Sequence, residues 1–165
     1  MSELTGPSQA VLVTTRAFIE DRFSTNKRTR DNIMATTSCM QTSQNPALYA
    51  ISIAKQGYSS KLIKNSSVFA LNFMPYHLKD ETIKCSKLFG EHIDKFKEAG
   101  LSKTEAATID CPLISEAIGH MECEVINEIE TGDQVIFIGK ALRSELKRQG
   151  KRLYHIDLEN LTTTE

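Results

Sequence analysis

Tryptophan is missing from this chain altogether, and the other aromatic residues, seven Phe and four Tyr, make up only 7% of its 165 residues. Few stacking platforms remain for single-stranded nucleic acid. Neither sign of charge is in excess: 20 basic and 21 acidic side chains give a formal net charge of −1, with no global pull toward a nucleic acid or an anionic membrane. No stretch is long and apolar enough to span a bilayer, and Met1 to Pro7 has neither the basic nor the apolar segment of a secretory leader. A cytoplasmic protein without nucleic-acid or membrane partners is expected. Cys39, Cys85, Cys111 and Cys123 contain no CxxC pair and have no His at zinc-ligand spacing, so reduced, mostly buried thiols are the default. No two of His77, His92, His120 and His155 share a helical turn, so no metal site is evident in the sequence.

What is present is a soluble globular balance, 40% hydrophobic and 25% charged, in a length that buries one sizeable core. We read residues 1–165 as a single domain. The β-branched run Ala10 to Thr15 predicts a first strand buried on both faces. Phe18 to Asp31 is polar and ends in a basic cluster, which reads as a long hairpin loop with a solvated tip. Further strands are expected at about Asn32 to Met40, at Leu48 to Ala54 and at Val68 to Phe73. Between the last two, Ser59-Ser60-Lys61 reads as a helix start with serine as N-cap. The spacing of Ile83, Leu88, Ile93 and Phe96 predicts one or two amphipathic helices between His77 and Gly100, broken at Gly90. After Pro112 a short helical piece, Leu113 to Ala117, is expected. Met121 to Glu128 and Gln134 to Leu142, joined by turn chemistry at Thr131-Gly132-Asp133, should pair as an antiparallel hairpin, and Arg152 to Asp157 should be the last strand. Strands in hairpin order with a few inserted helices argue for an all-β, Greek-key antiparallel barrel, closed or half closed, rather than a doubly wound sheet.

Within that plan Asn32-Ile-Met-Ala-Thr-Thr-Ser38 stands out, because a buried strand does not ordinarily concentrate so many small and hydroxyl side chains. Small residues let a flat, polar-edged ligand lie against backbone N–H and C=O groups. The plainer reading is a polar strand end running into a turn. Its companions are Ser43-x-x-Pro46, Tyr58-Ser-Ser-Lys-Leu-Ile63, Phe69-Ala-Leu-Asn72, Gly90-x-x-x-Asp94-Lys95-Phe96, and Glu122-Cys-x-Val125 through Gly132-Asp133 to Gly139. In this order they resemble the flavin reductase-like family over about Val11 to Lys140.

The resemblance implies an FMN-binding split barrel that forms homodimers and holds FMN without a covalent bond. It assigns Asn32, Met34, Ala35, Thr36, Thr37 and Ser38, with Ser52, to the flavin ring and ribityl chain. Ser59, Ser60 and Lys61 offer a phosphate hydroxyls, N–H groups at a helix N-terminus and a cation, although a serine there also serves as a simple cap. Asn72 and Lys95 are assigned cofactor contacts, against the alternatives of a turn-forming amide and an exposed helix cation. Many family members carry His where this chain has Gln134 and an aromatic residue where it has Ser38; Gln134 hydrogen-bonds but does not titrate near neutral pH. His155 is the substitute polar group suggested near the ring, and Cys39 is read as a small buried hydrophobe.

The implied function is an oxidoreductase passing electrons from NAD(P)H through FMN to free flavin, ferric complexes or a partner protein. A non-catalytic FMN-binding electron carrier or flavin store is the alternative. No side chain is assigned as a catalytic acid, base or nucleophile.

Overall fold

The computed structural model describes residues 7–20, 27–155 and 161–163. Its strands and helices follow in the order β1 (Ser8–Gln9), β2 (Val11–Glu20), β3 (Lys27–Thr36), β4 (Cys39–Ser43), β5 (Leu48–Ala54), α1 (Tyr58–Ser66), β6 (Val68–Phe73), α2 (Lys79–Lys87) and α3 (Lys95–Ala99). Then come β7 (Lys103–Glu105), β8 (Pro112–Ile114), β9 (Gly119–Thr131), β10 (Gln134–Leu146), β11 (Tyr154–His155) and β12 (Leu161–Thr162). The main sheet has the order β3-β2-β6-β9-β10-β5-β4, and every pairing within it is antiparallel.

Strands β3 and β4 stand at opposite ends of that order, yet only Thr37 and Ser38 join them. Two residues reach no more than about 7–10 Å, so the sheet must curl until its two edges nearly meet. The meeting point is stitched by the Ser52 amide donating to the Ser38 carbonyl at 3.0 Å and by the Thr36 hydroxyl donating to the Ser52 carbonyl at 3.4 Å. Among the described residues no ladder joins β3 to β4 or β5, so the barrel they form is split along the outer edge of β3.

Strand β2 is buried on both faces, and its alternation separates two cores. Val11 and Val13 turn into the barrel with Ile51, Phe69, Leu71 and Phe137, whereas Ala10 and Leu12 turn outward to Ile33, Met74, Phe96 and Leu153 under α2 and α3. A strand feeding two cores needs the near-continuous apolar run seen in the sequence. Helix α1 covers one opening of the barrel with Leu62 and Ile63, each 1% exposed or less. The β9–β10 hairpin turns on Gly132-Asp133, with Gly132 at a φ of 53°, a conformation that a two-residue hairpin requires and glycine adopts without strain.

Strands β5 and β6 have the expected bounds. Elsewhere the structure corrects the sequence reading. The segment expected as a polar loop is largely ladder, with Phe18 opposite Thr29 and Glu20 opposite Lys27; only its tip, 21–26, lies outside the described residues. Arg16 explains the polarity there, since on this extension it binds Asp31, Glu105 and Asp110 at 2.7–2.9 Å. The expected strand from Asn32 to Met40 breaks at Thr37 and Ser38, where the chain crosses from one sheet edge to the other. The expected helix at Leu113 to Ala117 begins instead in strand β8, paired to β7. Side chains hold it extended: the Ile114 amide donates to Asn72 Oδ1 at 2.8 Å, and His120 Nε2 bonds the Ile114 carbonyl at 2.7 Å. Of the expected last strand, Tyr154 and His155 pair in β11, Arg152 bridges Pro75, and 156–157 lie outside the described residues.

Candidate functional site

A cleft of about 850 Å³ opens along the split. Its volume lies in the upper part of the range of small-molecule pockets, about 300–1,000 Å³. One wall is the end of β3 and the crossing, Met34, Ala35, Thr36, Thr37 and Ser38, with Ser52 of β5 beside them. Those are six of the twelve residues proposed from sequence. Gln134 and His155, singled out as departure and substitute, line the cleft as well. The opposite wall is α2, through Thr82, Ile83, Ser86 and Lys87.

The chemistry of the β3 wall follows from its free edge. The Ile33 carbonyl accepts from Lys95 Nζ at 2.8 Å, so it points away from β2. Peptide groups two residues apart in a strand turn the same way, so Ala35 presents its N–H and C=O to that edge too. A donor and acceptor side by side, without a ladder partner among the described residues and next to small side chains, suit the alternating donors and acceptors along one edge of a flat heterocycle. The polar side chains nearby reinforce the wall: the Ser38 amide donates to Thr36 Oγ1 at 3.1 Å, fixing the bend at its end.

The other six proposed residues lie outside the cleft lining, in three kinds of place. Asn32 is 1% exposed, and its Nδ2 donates to Ser59 Oγ at 2.8 Å, which ties β3 to the start of α1. Its Oδ1 is buried without a partner and lies where a side chain on Gly90 would have to go: a Cβ there would stand 2.1 Å from it. Ser59 and the exposed Lys61 sit at the α1 N-terminus, which follows the cleft-lining Ala54 by a single turn closed by the Gly57 amide on the Ala54 carbonyl. The N-cap of α1 is Gly57 rather than a serine. Ser60 is 1% exposed, and its hydroxyl is committed to the Lys55 and Gly57 carbonyls at 2.8 Å each.

Asn72 is fully buried away from the cleft. Its Nδ2 donates to the Leu12 carbonyl and Thr14 Oγ1 at 3.1 and 3.0 Å, and its Oδ1 accepts from Ile114, so the amide spends its capacity on the fold. Lys95 is 6% exposed, with Nζ on the carbonyls of Ile33 and Cys85. Burial pushes the Cys39 thiol up to about 11, so beside the cleft it stands as a neutral small side chain.

Sequence reasoning missed the α2 wall. Thr82 with Ser86 and Ile83 with Lys87 are two i,i+4 pairs on adjacent stripes of one helical face, a signal that was present. The sequence reading counted only the apolar member, Ile83, as core.

Fold and cleft together define a class: an antiparallel barrel left open along one strand edge, with a ligand-sized cleft at the opening. The profile of the flavin reductase like domain matches residues 5–161, and the chain belongs to that family. An uncharacterized protein of Aeropyrum pernix is 34% identical over 103 residues, which are 62% of this chain and 39% of that protein. Among solved structures, an FMN-binding protein from Thermus thermophilus with bound 1-cyclohex-2-enone superposes with a TM-score of 0.82 at 19% identity, covering 98% of this chain and 88% of that one. Flavoredoxin of Desulfovibrio vulgaris superposes with a TM-score of 0.81 at 22% identity, covering 96% and 87%. At such identities the structural likeness shows the shared fold.

Proposed function

We propose that the cleft binds FMN without a covalent bond and that the protein is an oxidoreductase passing electrons from NAD(P)H to free flavin, ferric complexes or a partner protein. The observation that carries the reading is the outer edge of β3, Ala35 above all, which has no ladder partner among the described residues and faces a cleft of ligand size in a chain of the flavin reductase like family. Bound FMN supplies the hydride and electron chemistry, and the chain supplies binding, orientation and electrostatics.

Ala35, with its small neighbours Thr36, Thr37 and Ser38, would hold the ring edge through backbone groups, and Met34 and Ile83 would meet its apolar part. Ser59, Lys61 and the α1 N-terminus on one side, and Ser86 with Lys87 on the other, are the groups available to a phosphate. Gln134 and His155 line the same cleft and are polar groups that a second ligand entering it would meet. A homodimer belongs to the same reading, as the resemblance to this family implies, and four unpaired cysteines accord with the cytoplasm.

Gln134 in the cleft favours the second reading, an electron carrier or flavin store, because an amide there neither delivers nor takes a proton. Anaerobic stopped-flow mixing of the FMN-loaded protein with NADH and with NADPH separates the two. Bleaching of the flavin band by either supports the reductase; an unchanged band with both leaves only the carrier. Sedimentation of the loaded protein as a monomer at micromolar concentration would contradict the dimer.

A further inference from the structure

The two walls of the cleft belong to different parts of the fold, β3 at the sheet edge and α2 packed outside it. A single side chain bonds both. Lys95 opens α3, whose position is set by Asp94 accepting from the Phe96 and Lys97 amides at 3.0 and 3.3 Å and by Phe96, 2% exposed in the outer core. From there the Lys95 ammonium donates to the Ile33 carbonyl on β3 at 2.8 Å and to the Cys85 carbonyl in α2 at 3.2 Å. Both acceptors are peptide neighbours of the cleft lining: Ile33 precedes Met34, and Cys85 precedes Ser86.

This is a costly way to join two elements. The ammonium is buried and makes no ion pair among the described residues; two carbonyl dipoles are its partners. Burial accordingly holds it below the usual lysine range. An apolar side chain would fill the same space without desolvating a charge. It could not reach across to two carbonyls of different elements. Gly90 serves the same packing, since it leaves room for the Asn32 amide and its absent Cβ would lie 3.4 Å from Lys95 Cε.

We infer that Lys95 is a positioning residue that ties strand β3 to helix α2 and thereby sets the separation of the two cleft walls. Its effect on flavin rests on the reading proposed above; the tie itself does not. Two measurements keep them apart. In hydrogen exchange on the ligand-free protein, Lys95→Met is expected to speed exchange of the ladder amides of Met34 and Thr36 and of 83–87 together by about tenfold or more, roughly the loss of one charge-assisted bond to each wall. Lys97→Met, which changes an exposed lysine on the same helix, should leave both segments as they are. In FMN titration, Lys95→Met is expected to bind about ten- to a hundredfold more weakly and with an altered visible circular dichroism band, a sign of changed ring seating that loss of global stability alone would not give. Unchanged exchange in both segments overturns the tie, whether or not FMN binds. Wild-type affinity and dichroism in the variant overturn its influence on the cleft. Should Lys95→Met not fold, Lys95→Gln, which keeps an N–H donor but can serve only one of the two carbonyls well, is read by the same criteria. If the wild-type protein itself takes up no FMN, the flavin reading fails and the exchange result alone decides the tie.

Discussion

Ala35→Pro tests the free edge of β3 with one deleted hydrogen. Proline at this position removes the amide donor and keeps an extended backbone, and it is tolerated in a sheet only where that N–H has no ladder partner. The Lys95 bond to the Ile33 carbonyl places the Ala35 peptide on the side away from β2, so the ladder from Val11 to Glu20 should persist. Urea unfolding of the ligand-free variant should therefore lose no more than about 1 kcal/mol. Flavin binding loses more. A ligand acceptor left facing no donor costs about 1–3 kcal/mol, which is about five- to a hundred-and-fiftyfold in affinity. Fluorescence titration with FMN measures that loss, and Ala35→Val, which keeps the N–H, separates it from the effect of added bulk. The reasoning is refuted by the opposite pattern: a collapse of stability would mean that the amide serves the β2 ladder, and unchanged FMN affinity with intact folding would mean that no ligand reads this edge.

Asn72→Ala should destabilise the fold by about 2–3 kcal/mol, because it strands the Ile114 amide in the core and removes the bonds to the Leu12 carbonyl and Thr14 Oγ1; urea unfolding measures this, and a cost below about 1 kcal/mol would refute the structural role given to the amide. Glu122 governs part of the acid limb. Burial opposes its charge, but bonds from the Thr108 hydroxyl and amide and the Ala107 amide outweigh it and hold its carboxyl below the usual range. A depressed carboxylate contributes stability that is present above the unfolded value near 4.5 and is lost as pH falls through the lower folded value. Glu122→Gln should flatten stability against pH in that acid window, and an unchanged acid limb would count against the assignment. His120 adds a loss at milder pH: burial, the leading cause, holds its imidazole below 6.5, so stability should fall as pH drops below 6.5 toward the lower folded value. His120→Gln should remove that component from a pH series of denaturant midpoints.

Much of the barrel could be read from the chain because several of its strands are short, largely apolar runs. Leu48–Ala54 and Val68–Phe73 have the bounds their composition suggested, and Thr131 to Gln134 turns where glycine demanded. Polar ladder was harder to read. The outer halves of β2 and β3 extend beyond the core, where Arg16 and its three carboxylates replace apolar burial, and such a pattern resembles a loop. Strand β8 was missed because what holds it extended is side-chain bonding, from Asn72 far back in the chain and from His120 just beyond the strand, which composition and spacing do not convey.

The same distinction divides the candidate site. Residues 34–38 and 52 line the cleft, and what they offer a ligand is largely backbone and small size, which sequence conveys directly. Ser60, Asn72 and Lys95 carry groups that satisfy a phosphate or a ring but satisfy buried carbonyls and amides equally well. Only tertiary structure shows which partner each one has. The α2 wall was hidden for another reason: half of an amphipathic helix faces a cleft rather than water, and polar side chains such as Thr82 and Ser86 look alike in either setting.

Whether the opening beside β3 takes flavin is decided by titrating the ligand-free protein with FMN and following the visible band, with the Ala35→Pro variant alongside. Saturation at about one FMN per chain with a perturbed band is expected, and weaker binding in the variant by about five- to a hundred-and-fiftyfold. A band that stays that of free FMN at every ratio, with no saturation, would contradict the flavin reading.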